Sequence, residues 1–261
     1  MAQVSSISRV GTTEPFYLQV ARNQISFHKS NFKFGFNPDV DDSLETVWAQ
    51  GGLYSYLETA TSLKVSSSSL NDTVTGTGAR TVEVSGLDAN YDELSETIVL
   101  AGQTAINTSN QFIRVNRIKV LTAGSGGQNA GVIYVGTGAI SSGVPANKYA
   151  TIAIGDNQTL MALWTVPRGY TAYLLQTDVT VATTQNNKYC TVQLVARPEG
   201  EVFQIKDKFV KAESSVHQEY TIPLKFEEKT DIEVRAIGDS AGADIAISAG
   251  MDFIYIQNDG A

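Results

Sequence analysis

The stretch Thr122–Gly138, TAGSGGQNAGVIYVGTG, holds six glycines in seventeen residues. Backbone amides in such a loop can cradle a phosphate, but a P-loop also needs G-x-x-x-x-G-K-[ST] and a following helix, and a dinucleotide loop needs G-x-G-x-x-G. Here Gly124 and Gly126 are followed by Asn129 where the third glycine belongs. No Lys-Ser/Thr pair is present, and the next run, GVIYVG, is β-branched. The glycines are expected to turn a hairpin between IKVLTA and GVIYVG, where positive φ carries no steric cost.

Other chemistry-bearing residues are sparse. The two histidines, His28 and His217, stand in polar surroundings and form no HExxH or paired-ligand motif. Neither GTGAISSG nor GSGGQ has the G-x-S-x-G spacing of a nucleophile elbow, and Ser66–Ser69 reads as a polar turn. Asp39, Asp41 and Asp42 cluster in NPDVDD, and Asp88, Asp92 and Glu93 in DANYDE. Neither cluster matches the D-x-[DN]-x-[DN]-G-x5-E calcium loop, and turns or a helix cap account for them. Calcium at either cluster stays open, as does a glycosidase pair drawn from distant strands. No catalytic residue, metal or cofactor is expected.

Composition narrows the partners. The chain has 261 residues, a formal net charge of −8 and 42% hydrophobic residues, which describes a globular protein rather than a disordered one. No clustered basic footprint for nucleic acid exists. The nearest candidate, Arg114, Arg117 and Lys119 in FIRVNRIKV, reads as a solvated strand face. No apolar run approaches the ~20 residues of a membrane helix. The opening MAQVSSISRVGTTE lacks the apolar core of a signal peptide, so synthesis and folding in cytoplasm are expected. The single cysteine, Cys190, alternates with Val192, Leu194 and Ala196 and is expected on the buried face of a strand.

The elements that would carry these residues are almost all strands. RTVEVSGL (80–87) and LSETIVL (94–100) alternate and predict a hairpin across DANYDE. In FIRVNRIKV (112–120) the apolar parity changes between Val115 and Ile118, which predicts a bulge near Asn116–Arg117. The spacing in DDSLETVWAQGG (41–52) predicts the one short helix, with Asp42 and Glu45 as a capping box. About eight short strands are expected between Gln158 and Gln257, favouring a jelly roll. The expected fold is all-β: an extended N-terminal arm (1–31), a first antiparallel β-sandwich (32–155) and a jelly-roll-like C-terminal sandwich (156–261). In FKFGF, Phe32, Phe34 and Phe36 share one face of a strand. Core is the default reading, and a hydrophobic docking face is the rival.

The phrases FGFNPDVDDSLETVWAQGG, GTGARTVEVSGLDANYDELSETIVLAGQT, FIRVNRIKVLTAGSGGQNAG and NQTLMALWTVPRGYTAYL resemble virion structural proteins of tailed bacteriophages, such as those of marine and cyanobacterial phages. The likeness covers roughly residues 32 to 180. It implies a non-enzymatic virion component made in the host cytoplasm, of the kind that decorates and cements a capsid. The implied partners are the major capsid protein and sister copies in a homotrimer, with neither nucleic acid nor membrane. Contacts would run through the arm and the first strand: Phe16, Tyr17, Ile25, Phe27, Phe32, Phe34 and Phe36. The alternative is a head or tail fibre that binds a host receptor or glycan, with Trp164, Tyr170 and Tyr173 as candidates.

Overall fold

The computed structural model describes residues 8–9, 12–185, 187–242 and 244–258. In chain order, β1 (Ser8–Arg9) and β2 (Thr12–Thr13) precede the helix α1 (Phe16–Ala21). Then come β3 (His28–Val40), β4 (Glu45–Thr46), β5 (Thr61–Ser67), β6 (Ala79–Leu87), β7 (Glu93–Val99), β8 (Ile106–Phe112) and β9 (Arg114–Ala123). They are followed by β10 (Ile133–Ser141), β11 (Val144–Ile152), β12 (Leu163–Thr165), β13 (Tyr170–Thr183) and β14 (Cys190–Arg197). The last four are β15 (Gln204–Lys211), β16 (Ser214–Phe226), β17 (Asp231–Gly238) and β18 (Ile245–Gln257).

The chain is nearly all β, every strand pairing is antiparallel, and one short helix is present. Besides the β1–β2 ribbon there are four sheets. Their orders are β16-β13-β18-β3, β12-β17-β14-β15 with β4 also on β17, β11-β10-β5-β8, and β7-β6-β9. The expected pair of independent sandwiches is not what forms: the four sheets follow one another in a propeller-like ring. The reason is that early and late segments share sheets. β3 pairs along β18, with Phe36 opposite Ser248 and Ser30 opposite Ile254, and β4 pairs with β17. Two apolar cores result, and each draws on residues from either side of 156. One holds Val40 and Val47 with Trp164, Leu194 and Phe253, and the other holds Leu63, Val84 and Phe112 with Met161 and Leu163.

Several expectations hold in detail. β6 and β7 form the predicted hairpin, with Leu87 opposite Glu93. β9 bulges where the parity slips, because Gly86 faces Val115 while Ser85 faces Arg117, leaving Asn116 over. Cys190 is buried in β14 beside Val192, Leu194 and Ala196, and burial pushes its thiol pKa up to about 11.

Others are corrected. Residues 41–52 form no helix. Glu45 does not close a capping box; its buried carboxylate accepts from the Asp41 amide (3.1 Å), the Gly52 amide (2.7 Å) and Asn37 Nδ2 (3.0 Å), pulling the segment into a loop. The helix lies instead at Phe16–Ala21, inside the expected arm. Residues 1–7, 10 and 11 of that arm lie outside the described residues. The C-terminal half supplies seven strands rather than eight, since ADIAISAG and MDFIYIQ run on as β18.

The glycine-rich segment does not close a hairpin either. β9 pairs with β6, and β10 pairs with β5 and β11, so the loop crosses from one sheet to another. Its amides are engaged within the protein. Gly124 and Gly126 donate to the carbonyls of Gly78 and Thr77. Ala130 (2.8 Å) and Gly131 (2.9 Å) donate to the buried Asp72 carboxylate, which also receives the Ala79 amide and the Ser67 hydroxyl. A Cβ at Gly124 would stand 2.2 Å from the Gly76 carbonyl oxygen, so only glycine permits this approach.

The sheets are locked by a buried ion network. Asp231, at the start of β17, accepts from Arg114 Nε (2.7 Å) and Nη2 (3.0 Å), from Arg197 Nη2 (2.6 Å) and from Thr165 Oγ1 (2.6 Å). The sequence reading of Arg114 as solvated fails because β9 begins here, at the junction with the neighbouring sheet. Tyr56 lies between the two guanidinium groups, at 4.9 Å from that of Arg114 and 4.6 Å from that of Arg197. Removing one partner strands buried charge. Arg114→Leu is therefore expected to lower unfolding stability by about 3 kcal/mol; a shift of a few tenths in urea denaturation would show the network to be dispensable.

Candidate partner-contact face

The residues singled out for contact lie on α1 and along the β3 edge of the β16-β13-β18-β3 sheet. α1 begins after Pro15, whose backbone (φ −57°) leads into the first turn. Val20 and, beyond the helix, Ile25 are buried against Ile254, with Leu175 and Ile256 alongside. This apolar peg fixes the helix to the outer surface of the sheet. Phe16, Tyr17 and Leu18 remain exposed, Tyr17 at 61%. Ile25 is thus an anchor of the face and not a contact on it.

Phe27 is 68% exposed and sits at φ +66°. A bulky residue in the left-handed region is a true outlier, and such strain costs on the order of 1–3 kcal/mol. The turn is held where the Gln257 amide donates to the Phe27 carbonyl (2.9 Å).

In β3 the FKFGF row faces outward, so the core reading is corrected. Phe32 and Phe36 are exposed and Phe34 is half-buried. Lys33, Gly35 and Asn37 point inward instead. Gly35 explains the inversion: a Cβ there would lie 2.2 Å from the Ala162 amide nitrogen and 2.3 Å from the Val47 carbonyl oxygen. The inner side of β3 is pressed against backbone, with no room for phenyl rings. Outside, the Phe32 ring stacks on Phe34 at 5.4 Å and lies over Gly250, where a Cβ would meet it at 3.2 Å.

Tyr17 and Phe32 border a groove of about 670 Å³ between α1 and the sheet, with Tyr220, Pro223 and Ile254 in its walls and Glu219 and Asp252 at its polar margin. Gln176 Nε2 donates to Asp252 (2.6 Å), and burial raises the Asp252 pKa. Nearby His217 Nδ1 is 2.6 Å from Asp178. The surface is aromatic with an acidic border, chemistry suited to a protein partner of apolar and basic character.

The other candidate residues do not join this face. Trp164 is buried, 5.0 Å from Phe253 and 5.3 Å from Tyr255, and Tyr170 and Tyr173 are half-buried. Asp92 forms a two-pronged pair with Arg168 (2.9 and 2.7 Å). Glu93 pairs with Lys29 at 2.7 Å, and Asp88 closes the β6–β7 turn by accepting from the Asn90 and Asp92 amides. His28 Nδ1 lies 2.8 Å from the Ser26 carbonyl oxygen. Lys119 pairs with Glu83 at 2.9 Å. Among the described residues no three His, Cys, Asp or Glu side chains converge as metal ligands would. Sequence reasoning missed the inward Lys33. Its only signal was its place between phenylalanines, at the parity opposite to theirs.

No family model matches the chain, and no curated protein matches it. Among solved structures, the chain is similar to one titled for the infectious bursal disease virus Gt strain, at 12% identity and a TM-score of 0.24, over 95% of this chain and 79% of that one. A structure of the Gx strain gives 12% identity and 0.23 over 90% and 73%. The VP2 subviral particle of the same virus gives 11% and 0.22 over 95% and 78%.

The Asp178–His217 pair yields a pH test. Asp178 raises the His217 pKa above its ordinary 6.5. A raised folded value means that the stabilisation is complete below about pH 6.5 and fades as pH climbs through the folded pKa. The NMR titration of His217 should have its midpoint above 6.5, and Asp178→Asn should lower it. An unchanged midpoint in the variant would separate the two residues electrostatically.

Proposed function

We propose that this protein is a non-enzymatic virion structural component, a capsid decoration or cement protein that docks on the major capsid protein as a homotrimer. The observation that carries the reading is the placement of exposed aromatics. Of the large exposed aromatic residues, Phe16, Tyr17, Phe27, Phe32 and Phe36 all fall between residues 16 and 36, and only Tyr189 lies elsewhere among the described residues. Large apolar patches on a soluble surface mark interaction sites. The resemblance of the sequence to virion structural proteins is what suggests a virion as the setting.

Magnitudes favour several copies acting together. Five half-exposed aromatics offer on the order of 500 Å², short of the ~800 Å² per partner of a stable pairwise interface. Three linked copies would turn a weak contact into a durable one by raising the effective concentration of the second and third. β3 is also an edge strand of its sheet; the Phe32 carbonyl is taken by Arg117, and a partner strand would pair with its remaining main-chain groups.

The test is titration onto empty phage heads followed by cryo-electron microscopy, comparing the parent chain with a Tyr17→Ser, Phe32→Ser double variant. Point changes are needed, because deleting the first thirty residues would also uncover the site of Val20 and Ile25. The parent should fill sites between capsomers with threefold density, and the variant should bind at least ~10-fold more weakly. Bare heads with the parent chain, or equal occupancy by the variant, would remove the proposal.

A further inference from the structure

A second concavity, of about 460 Å³, opens between the β3–β18 edge of one sheet and the β6, β7 and β9 strands of another. It adjoins the aromatic face, with Asn31 common to both linings. Lys33 from β3 and Arg117 from β9 both line it. Lys33 is only 3% exposed, yet its amine has no carboxylate partner among the described residues and donates to the Asn116 carbonyl. Arg117 likewise lacks an acid and donates to the Phe32 carbonyl (2.9 Å). Buried cations are normally paired. Burial and the neighbouring Arg117 together lower the Lys33 pKa well below the usual lysine value.

The β9 bulge brings a third feature. It sets the consecutive residues Asn116 and Arg117 both on the cavity wall. The one acid on the wall, Glu93, is occupied by Lys29 (2.7 Å) and by the Tyr255 hydroxyl (3.3 Å). The rings of Tyr255 and Trp164 supply an apolar side.

We infer that this cavity binds a carboxylated sugar, its carboxylate between Lys33 and Arg117 and its ring against the aromatic side. Each demand of the site is met by one part of such a molecule. The carboxylate answers the Arg117 guanidinium and the buried Lys33 amine, neither of which has an acid partner among the described residues, and a C–H face suits the aromatic side. A phosphate dianion has no apolar face and would bring a second negative charge towards Glu93.

Isothermal titration of the intact protein with methyl glucuronide, methyl glucoside and inorganic phosphate tests this. Saturable binding of the glucuronide is expected, with none of the neutral glucoside at the same concentration. Arg117→Gln and Lys33→Met should each weaken it by at least ~10-fold. Circular dichroism and melting identify a Lys33→Met chain that has lost its fold; Arg117→Gln, at the half-buried cavity wall, then decides the matter. Absence of glucuronide binding, equal binding of the glucoside, phosphate bound in preference to the glucuronide, or undiminished binding by folded Arg117→Gln would each overturn the assignment.

Discussion

The carboxylate of Asp231, gripped by Arg114 from one sheet and Arg197 from its own, is the constraint on which the architecture turns. Antiparallel sheets bury their faces readily but meet one another only through side chains, so their relative angle must be set by specific contacts. Here one acid joins the start of β9, the end of β14, β17 and Thr165 of β12. Tyr56 lies within 5 Å of both guanidinium groups and ties in the loop that precedes β5. Because burial makes any unpaired member costly, the junction tolerates one geometry. That geometry leaves β3 and β9 apart across the Lys33–Arg117 cavity.

Loops are organised by the same means on a smaller scale. Asp72 collects amides from β6 and the glycine-rich crossing, and Glu45 collects those around the segment after β3. A carboxylate that accepts several amides replaces regular secondary structure as the sink for backbone donors. The glycines supply close approach rather than ligand binding: they let strands and crossings pass within backbone contact, as Gly35 does against Ala162 and Val47.

Much of this was legible in the sequence, and the division has physical causes. Alternation located most strands, the parity slip in FIRVNRIKV located the bulge at Asn116, and the company of Cys190 placed it in a core. Period two says that residues share a face without saying which face is inward, so the default assignment of Phe32, Phe34 and Phe36 to core had nothing local to correct it. What decides is Gly35, and only through backbone far along the chain. The helical spacing of residues 41–52 lost to Glu45's tertiary bonds. The ring of sheets rests on β3 meeting β18, a pairing for which local pattern carries no trace. Lys33 and Arg117, the two cations of the cavity, converge only once that pairing exists.

The β3–β18 ladder also sets an order of events in time. Ser30 finds its partner at Ile254, and the peg formed by Val20 and Ile25 has nothing to rest on until Ile254 and Ile256 are in place. A ribosome therefore exposes the aromatic segment long before it delivers the strand that gives that segment a shape. Contacts so distant in sequence form late. The aromatic face is in effect a certificate of completion: a nascent or truncated chain has the exposed aromatic residues but not the surface they form.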